Sequence, residues 1–129
     1  MASPENMKYS KEHEWVRVED GIAVIGIADY AQGELGEVVY IAVDTVDQEM
    51  SLDEVFGTVE AVKTTSDLFM PVSGKIIEFN KELDESEGDN PALVNEDPYG
   101  EGWIIKVEMS DESELEQLLS SSEYDELVG

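Results

Sequence analysis

Val55-Phe-Gly-Thr-Val-Glu-Ala-Val62, Lys63-Thr-Thr-Ser66, Asp67-Leu-Phe-Met70, Pro71-Val-Ser-Gly74: these twenty residues decide the fold. Strand alternation puts Val55, Gly57, Val59 and Ala61 on one face and Phe56, Thr58, Glu60 and Val62 on the other. The run breaks at Lys63-Thr-Thr-Ser66, which are polar and turn-tolerant. Asp67–Met70 resumes an extended pattern, so the stretch predicts a hairpin with Lys63 at or beside its tip. Pro71–Gly74 reads as a turn and Lys75-Ile-Ile-Glu-Phe79 as the next strand. A lysine at a hairpin tip is ordinarily a solvated turn residue. The functional alternative is covalent attachment, because a sharply presented amine on a long, flexible stem is open to acylation.

Working outward, Trp15–Val18 and the β-branched run Ile22–Ile27 predict strands on either side of a turn at Gly21. Asp29 is a plausible N-cap for a short helical turn through Gly33. Gly36 opens a strand over Val38–Val43, and Asp44–Glu54 reads as an acidic loop. The hexamer Gly36–Ile41 echoes Gly74–Phe79, which suggests two similar halves of one β sandwich. Residues 80–91 form a loop, and Gly102–Glu108 is the last strand. Ser110 or Asp111 caps a C-terminal helix over residues 111–128, with Leu115, Leu118 and Leu119 as its apolar stripe, repeated by Tyr124, Leu127 and Val128. Residues 1–12 are polar and read as loose, the first seven as a flexible arm. The chain of 129 residues is one domain by length.

Asp and Glu number 32 against seven Lys and Arg, a formal net charge of −25. Such a surface repels nucleic-acid backbones and anionic lipid. It suits either solubility in salt or steering toward basic faces of partner proteins. With no cysteine, disulfides and thiolate metal sites are excluded. A single His13 argues against a histidine metal site or a catalytic triad. No apolar run approaches the roughly 18 residues of a membrane span. Residues 1–6 carry neither an apolar nor an Arg-rich targeting pattern, which predicts a cytoplasmic protein or a mature mitochondrial form. Ser73 lacks the flanking glycines of a nucleophile elbow, and no phosphate-binding loop precedes a helix. Trp15, Tyr99 and Trp103 suit core or rim positions. The sequence therefore points away from an enzyme.

Gly57-x-Val-Glu-Ala-Val-Lys63-x-x-Ser-Asp67-x-x-x-Pro-Val-Ser-Gly74 resembles the lipoyl-attachment hairpin of the glycine cleavage system H proteins. Further blocks resemble that family in order: Lys8-Tyr-Ser-x-x-His-Glu-Trp15, Ile25–Gln32 followed by Leu35-Gly36, Leu93-Val-Asn-x-Asp-Pro-Tyr-Gly-x-Gly-Trp103, and Asp111–Leu119. The resemblance implies a mainly β fold, a barrel-sandwich hybrid of two small antiparallel sheets with a C-terminal helix. It implies a monomeric carrier without turnover of its own, with lipoate in amide linkage to Lys63. It implies as partners the pyridoxal-phosphate glycine decarboxylase, the tetrahydrofolate-dependent aminomethyltransferase, dihydrolipoyl dehydrogenase and a lipoyl or octanoyl transferase or ligase. It places Glu14 and Asp67 at a cleft where the loaded arm rests. A lipoate donor that supplies lipoyl groups to other enzymes is the alternative with the same attachment chemistry. Biotinyl carriers, which flank their lysine with methionines, and the shorter lipoyl domains of 2-oxoacid dehydrogenases fit less well. Ala61, Thr64, Tyr30 and the acidic loop Asp84–Asn90 depart from the common pattern of the family.

Overall fold

The computed structural model describes residues 6–128. Among the described residues, nine strands form two antiparallel sheets. The strands are β1 (Lys8–Tyr9), β2 (Glu14–Glu19), β3 (Ile22–Ile27), β4 (Val38–Ala42), β5 (Glu49–Met50), β6 (Val55–Ala61), β7 (Thr65–Phe69), β8 (Gly74–Phe79) and β9 (Ile105–Met109). One sheet runs β1-β2-β3-β9-β8-β5 and the other β4-β6-β7. The helices are α1 (Asp29–Leu35), α2 (Leu93–Glu96) and α3 (Ser121–Val128), with a 3-10 helix over Glu112–Gln117. The fold is thus mainly β with two antiparallel sheets and a C-terminal helix, as expected. The larger sheet has six strands, and neither sheet closes into a barrel.

The main core lies between the sheets. Val16, Ile25, Ile76, Ile105 and Val107 from the larger sheet meet Ile41, Phe56, Val59 and Leu68 from the smaller one. A second cluster of Met7, Tyr9, Trp15, Val24, Ala28 and Tyr124 covers the opposite face of β2 and β3. Both faces of β3 are therefore buried, which explains why Ile22–Ile27 reads as a continuous apolar run rather than an alternating one. Gly26 stands opposite Trp15 in the ladder. A Cβ at residue 26 would stand 2.6 Å from Trp15 Cε2, so the indole lies flat only over a glycine.

Several local readings change. Met7 and Tyr9 are buried, so the segment read as loose over residues 1–12 is packed from Met7 onward, because Tyr124 stacks on Tyr9 with ring centroids 4.8 Å apart. Residues 1–5 of the expected arm lie outside the described residues. Asp29 is the first residue of α1 rather than its cap. Ala28 holds the cap position without a side-chain bond, and Asp29 instead accepts from Gln32 Nε2 at 2.7 Å. The C-terminal helix is two pieces. Asp111 does cap the first, accepting from Ser113 N. The chain then extends at Leu118 and Leu119, where Leu119 bridges to Tyr9, and α3 follows. Alternation along β6 fails at Phe56, where a bulge sets Val55 opposite Phe69 and Gly57 opposite Leu68. Phe56 thereby turns into the core while Val55 is exposed. The two echoing hexamers lie in different settings. β4 is an edge strand of the smaller sheet, whereas β8 is flanked by β9 and β5 in the larger.

Candidate functional site

The β6–β7 hairpin forms as expected, with Glu60 opposite Thr65 in its last ladder pair. Ala61 N donates to Thr64 O at 2.8 Å and closes the tip around Val62 and Lys63. Val62 N donates to Glu37 O at 2.9 Å, so the tip is tied to the segment that enters β4. Lys63 is exposed. Its methylenes lie over Gly36, where a Cβ would stand 3.5 Å from Lys63 Cδ.

Asn95 builds the platform under that lysine. Its Oδ1 accepts from Val38 N at 2.8 Å. Its Nδ2 donates to Gly36 O at 2.8 Å and to Gln32 Oε1 at 2.9 Å. One side chain on α2 thus fixes the end of α1, the start of β4 and the glycine beneath Lys63. Asn95 has no local sequence signal for this role beyond its place in the block Leu93–Trp103, because its partners lie 57 to 63 residues away.

Two residues beyond Lys63 a cleft of about 660 Å³ opens between β7, α1 and the turn before β2. Its apolar wall includes Ile27, Ala31, Leu35, Val59 and Leu68. Its polar side carries Glu12, Glu14, Glu34 and Asp67, with His13 beside them. Glu14 and Asp67, the two acids singled out in the sequence, therefore line the same cleft. Lys63 itself does not line it. A long, mostly apolar chain with a cationic end matches this lining, because apolar contacts take the stem and carboxylates take the charge.

The two acids differ in character. Asp67 is exposed on β7, opposite Thr58. Glu14 is only 2% exposed. Its Oε2 accepts from Phe69 N at 2.9 Å and its Oε1 lies 3.4 Å from the Ser10 hydroxyl. Burial pushes its carboxyl well above the ordinary 4.5. The Phe69 amide and Ser10 hydroxyl pull it back, while nearby Glu12 and Asp53 push it further up.

Comparison with known proteins gives one family. The family described as "Glycine cleavage H-protein" matches residues 7–129. The glycine cleavage system H protein of Staphylococcus saprophyticus is 53% identical over 129 residues, covering 100% of this chain and 99% of the relative. That of Staphylococcus haemolyticus is also 53% identical, with the same coverage. The crystal structure of a glycine cleavage system H protein from Mycobacterium marinum superposes with a TM-score of 0.83 at 34% identity, covering 96% of this chain and 97% of that one.

Proposed function

The chain belongs to the glycine cleavage H-protein family, and from that premise we propose that it is the lipoyl carrier of glycine cleavage, with Lys63 as the attachment residue. The observation that carries this reading is the placement of Lys63: an exposed amine on a tight hairpin tip, two residues from an acid-lined apolar cleft. Lipoate held there as an amide would supply a dithiolane, a disulfide that can be reduced as it takes up the aminomethyl unit left when glycine loses CO2. The chain's own residues do the rest. The hairpin and its Gly36–Asn95 platform hold the amine clear of the fold, so that an attached arm reaches the active sites of separate enzymes. Tethering keeps the cargo at high local concentration. The apolar wall of the cleft excludes water from a docked arm, and Glu14 and Asp67 oppose the positive charge of the aminomethyl amine.

In this role the chain turns over nothing itself. It visits glycine decarboxylase for loading, the tetrahydrofolate-dependent aminomethyltransferase for unloading and dihydrolipoyl dehydrogenase for reoxidation, after a lipoyl or octanoyl transferase or ligase has modified Lys63. We place it in the cytoplasm as a monomer, and its net charge of −25 suits docking on basic enzyme faces. Glycine–bicarbonate exchange by purified decarboxylase tests the shuttle. The lipoylated chain supports exchange and Lys63→Ala does not; exchange at the level of Lys63→Ala would refute the reading.

A further inference from the structure

Glu14 reaches the cleft floor because of the turn that precedes it. Ser10 N donates to Glu14 O at 2.8 Å and His13 N to Ser10 O at 3.1 Å. Glu14 N donates to Ser10 Oγ at 3.1 Å. His13 closes this turn with φ at 69°, a left-handed conformation in which Asn, Asp and His are the favoured non-glycine residues. Its carbonyl accepts from Ala28 N at 2.9 Å.

The His13 ring is held from a distant part of the chain. Nδ1 lies 2.9 Å from the hydroxyl of Tyr124, 111 residues away on α3. Tyr30 flanks the imidazole at 5.3 Å and Tyr124 meets it edge-on at 5.7 Å. Tyr124 is itself fixed. It is buried, it stacks on Tyr9, and Tyr9 exchanges backbone bonds of 2.9 and 2.7 Å with Leu119. Burial pushes the Tyr124 phenol up, so its hydroxyl stays protonated while it shares the hydrogen bond with Nδ1. A phenylalanine would fill the same core volume. The hydroxyl adds something the core does not require, a direct bond to a residue that lines the cleft.

We infer that Tyr124 and His13 are positioning residues, through which the C-terminal helix holds the Ser10–Glu14 turn in its left-handed kink and keeps the Glu14 carboxyl on the cleft floor. Carboxylates surround Glu14, with Glu12 on its own turn, Glu34 on α1, Asp67 on β7 and Asp53 within electrostatic reach. A loosened turn therefore lets Glu14 swing toward water. The clamp is a property of the unmodified chain; only the second readout below rests on the carrier reading.

The test uses the full chain with Tyr124→Phe, His13→Ala and His13→Asn, thermal melting serving to establish that each is folded. The first readout is the titration of the Glu14 carboxyl carbon by NMR. Tyr124→Phe and His13→Ala lower the Glu14 midpoint toward 4.5 as the carboxyl gains water. His13→Asn keeps the wild-type midpoint, because asparagine tolerates the left-handed backbone and its Oδ1 takes the place of Nδ1. The second readout is loss of the aminomethyl group from the loaded arm, which Tyr124→Phe speeds about fivefold, the order of one lost neutral hydrogen bond. Wild-type Glu14 titration in folded Tyr124→Phe and His13→Ala overturns the clamp, as does His13→Asn behaving like His13→Ala. A moved titration with unchanged release upholds the clamp and removes the arm-docking role of Glu14.

Discussion

The methylenes of Lys63 lie across Gly36, whose backbone sits at φ 81°, ψ −158°. That region is open essentially to glycine alone and costs other residues about 1–3 kcal/mol. Gly36→Ala therefore lowers stability to urea by about that amount. The added methyl meets the lysine stem at ordinary contact distance, so the amine stays exposed and acylation of Lys63 persists in the folded fraction. Denaturation curves and intact mass measure the two effects separately.

Asn95 gives a second prediction. Truncation to alanine leaves Val38 N–H, Gly36 C=O and Gln32 Oε1 without their partner. The expected loss is about 1–3 kcal/mol in urea denaturation. Amide exchange at Val38 rises with it, while exchange in β3 and β9 keeps its wild-type rank.

The buried Glu14 predicts a pH dependence with a definite sign. Its folded-state carboxyl titrates above the ordinary 4.5, so the folded chain holds this proton more tightly than the unfolded one. The contribution is complete below 4.5 and is lost as pH rises through the folded value. Glu14→Gln lacks that loss and keeps a hydrogen-bond acceptor for Phe69 N. The stability difference between variant and wild type therefore grows in favour of the variant as pH rises from 4.5. Urea denaturation of both proteins across a pH series measures it, and a difference that is flat with pH contradicts the burial of an acidic proton.

Asp67 is exposed on β7, so Asp67→Asn changes stability by no more than about 0.5 kcal/mol. On the loaded carrier it speeds spontaneous loss of the aminomethyl group roughly two- to fivefold, the range of an exposed charge pair. Release followed over time measures this, and an unchanged rate removes Asp67 from the docking site.

The elements legible in the sequence are those whose pattern is local. Trp15–Val18, Ile22–Ile27 and the hairpin around Lys63 carry their strand and turn signals within a few residues, and they form as read. Elements fixed by distant partners were not legible. Phe56 turns inward through a bulge that alternation does not encode. Helix α2 is only four residues long and is held by Asn95 bonds to α1 and β4. The C-terminal helix breaks at Leu119 because that residue pairs with Tyr9. Met7 and Tyr9, in a polar segment, are buried by Tyr124 from the far end of the chain. The site divides in the same way. Lys63 stands out through its place in a hairpin, and family resemblance marks Glu14 and Asp67. That Glu14 is buried and Asp67 exposed has no signature in a chain with 32 acids, because the difference lies in the Ser10–Glu14 turn and the Phe69 amide.

Everything proposed for the carrier depends on Lys63 being its attachment point. Intact mass of the chain purified from its native host tests it most directly. The expected result is an increment of one lipoyl group, located on Lys63 by peptide mapping and absent from Lys63→Ala. An unmodified Lys63 in native material, or a lipoyl group on another lysine, would contradict it.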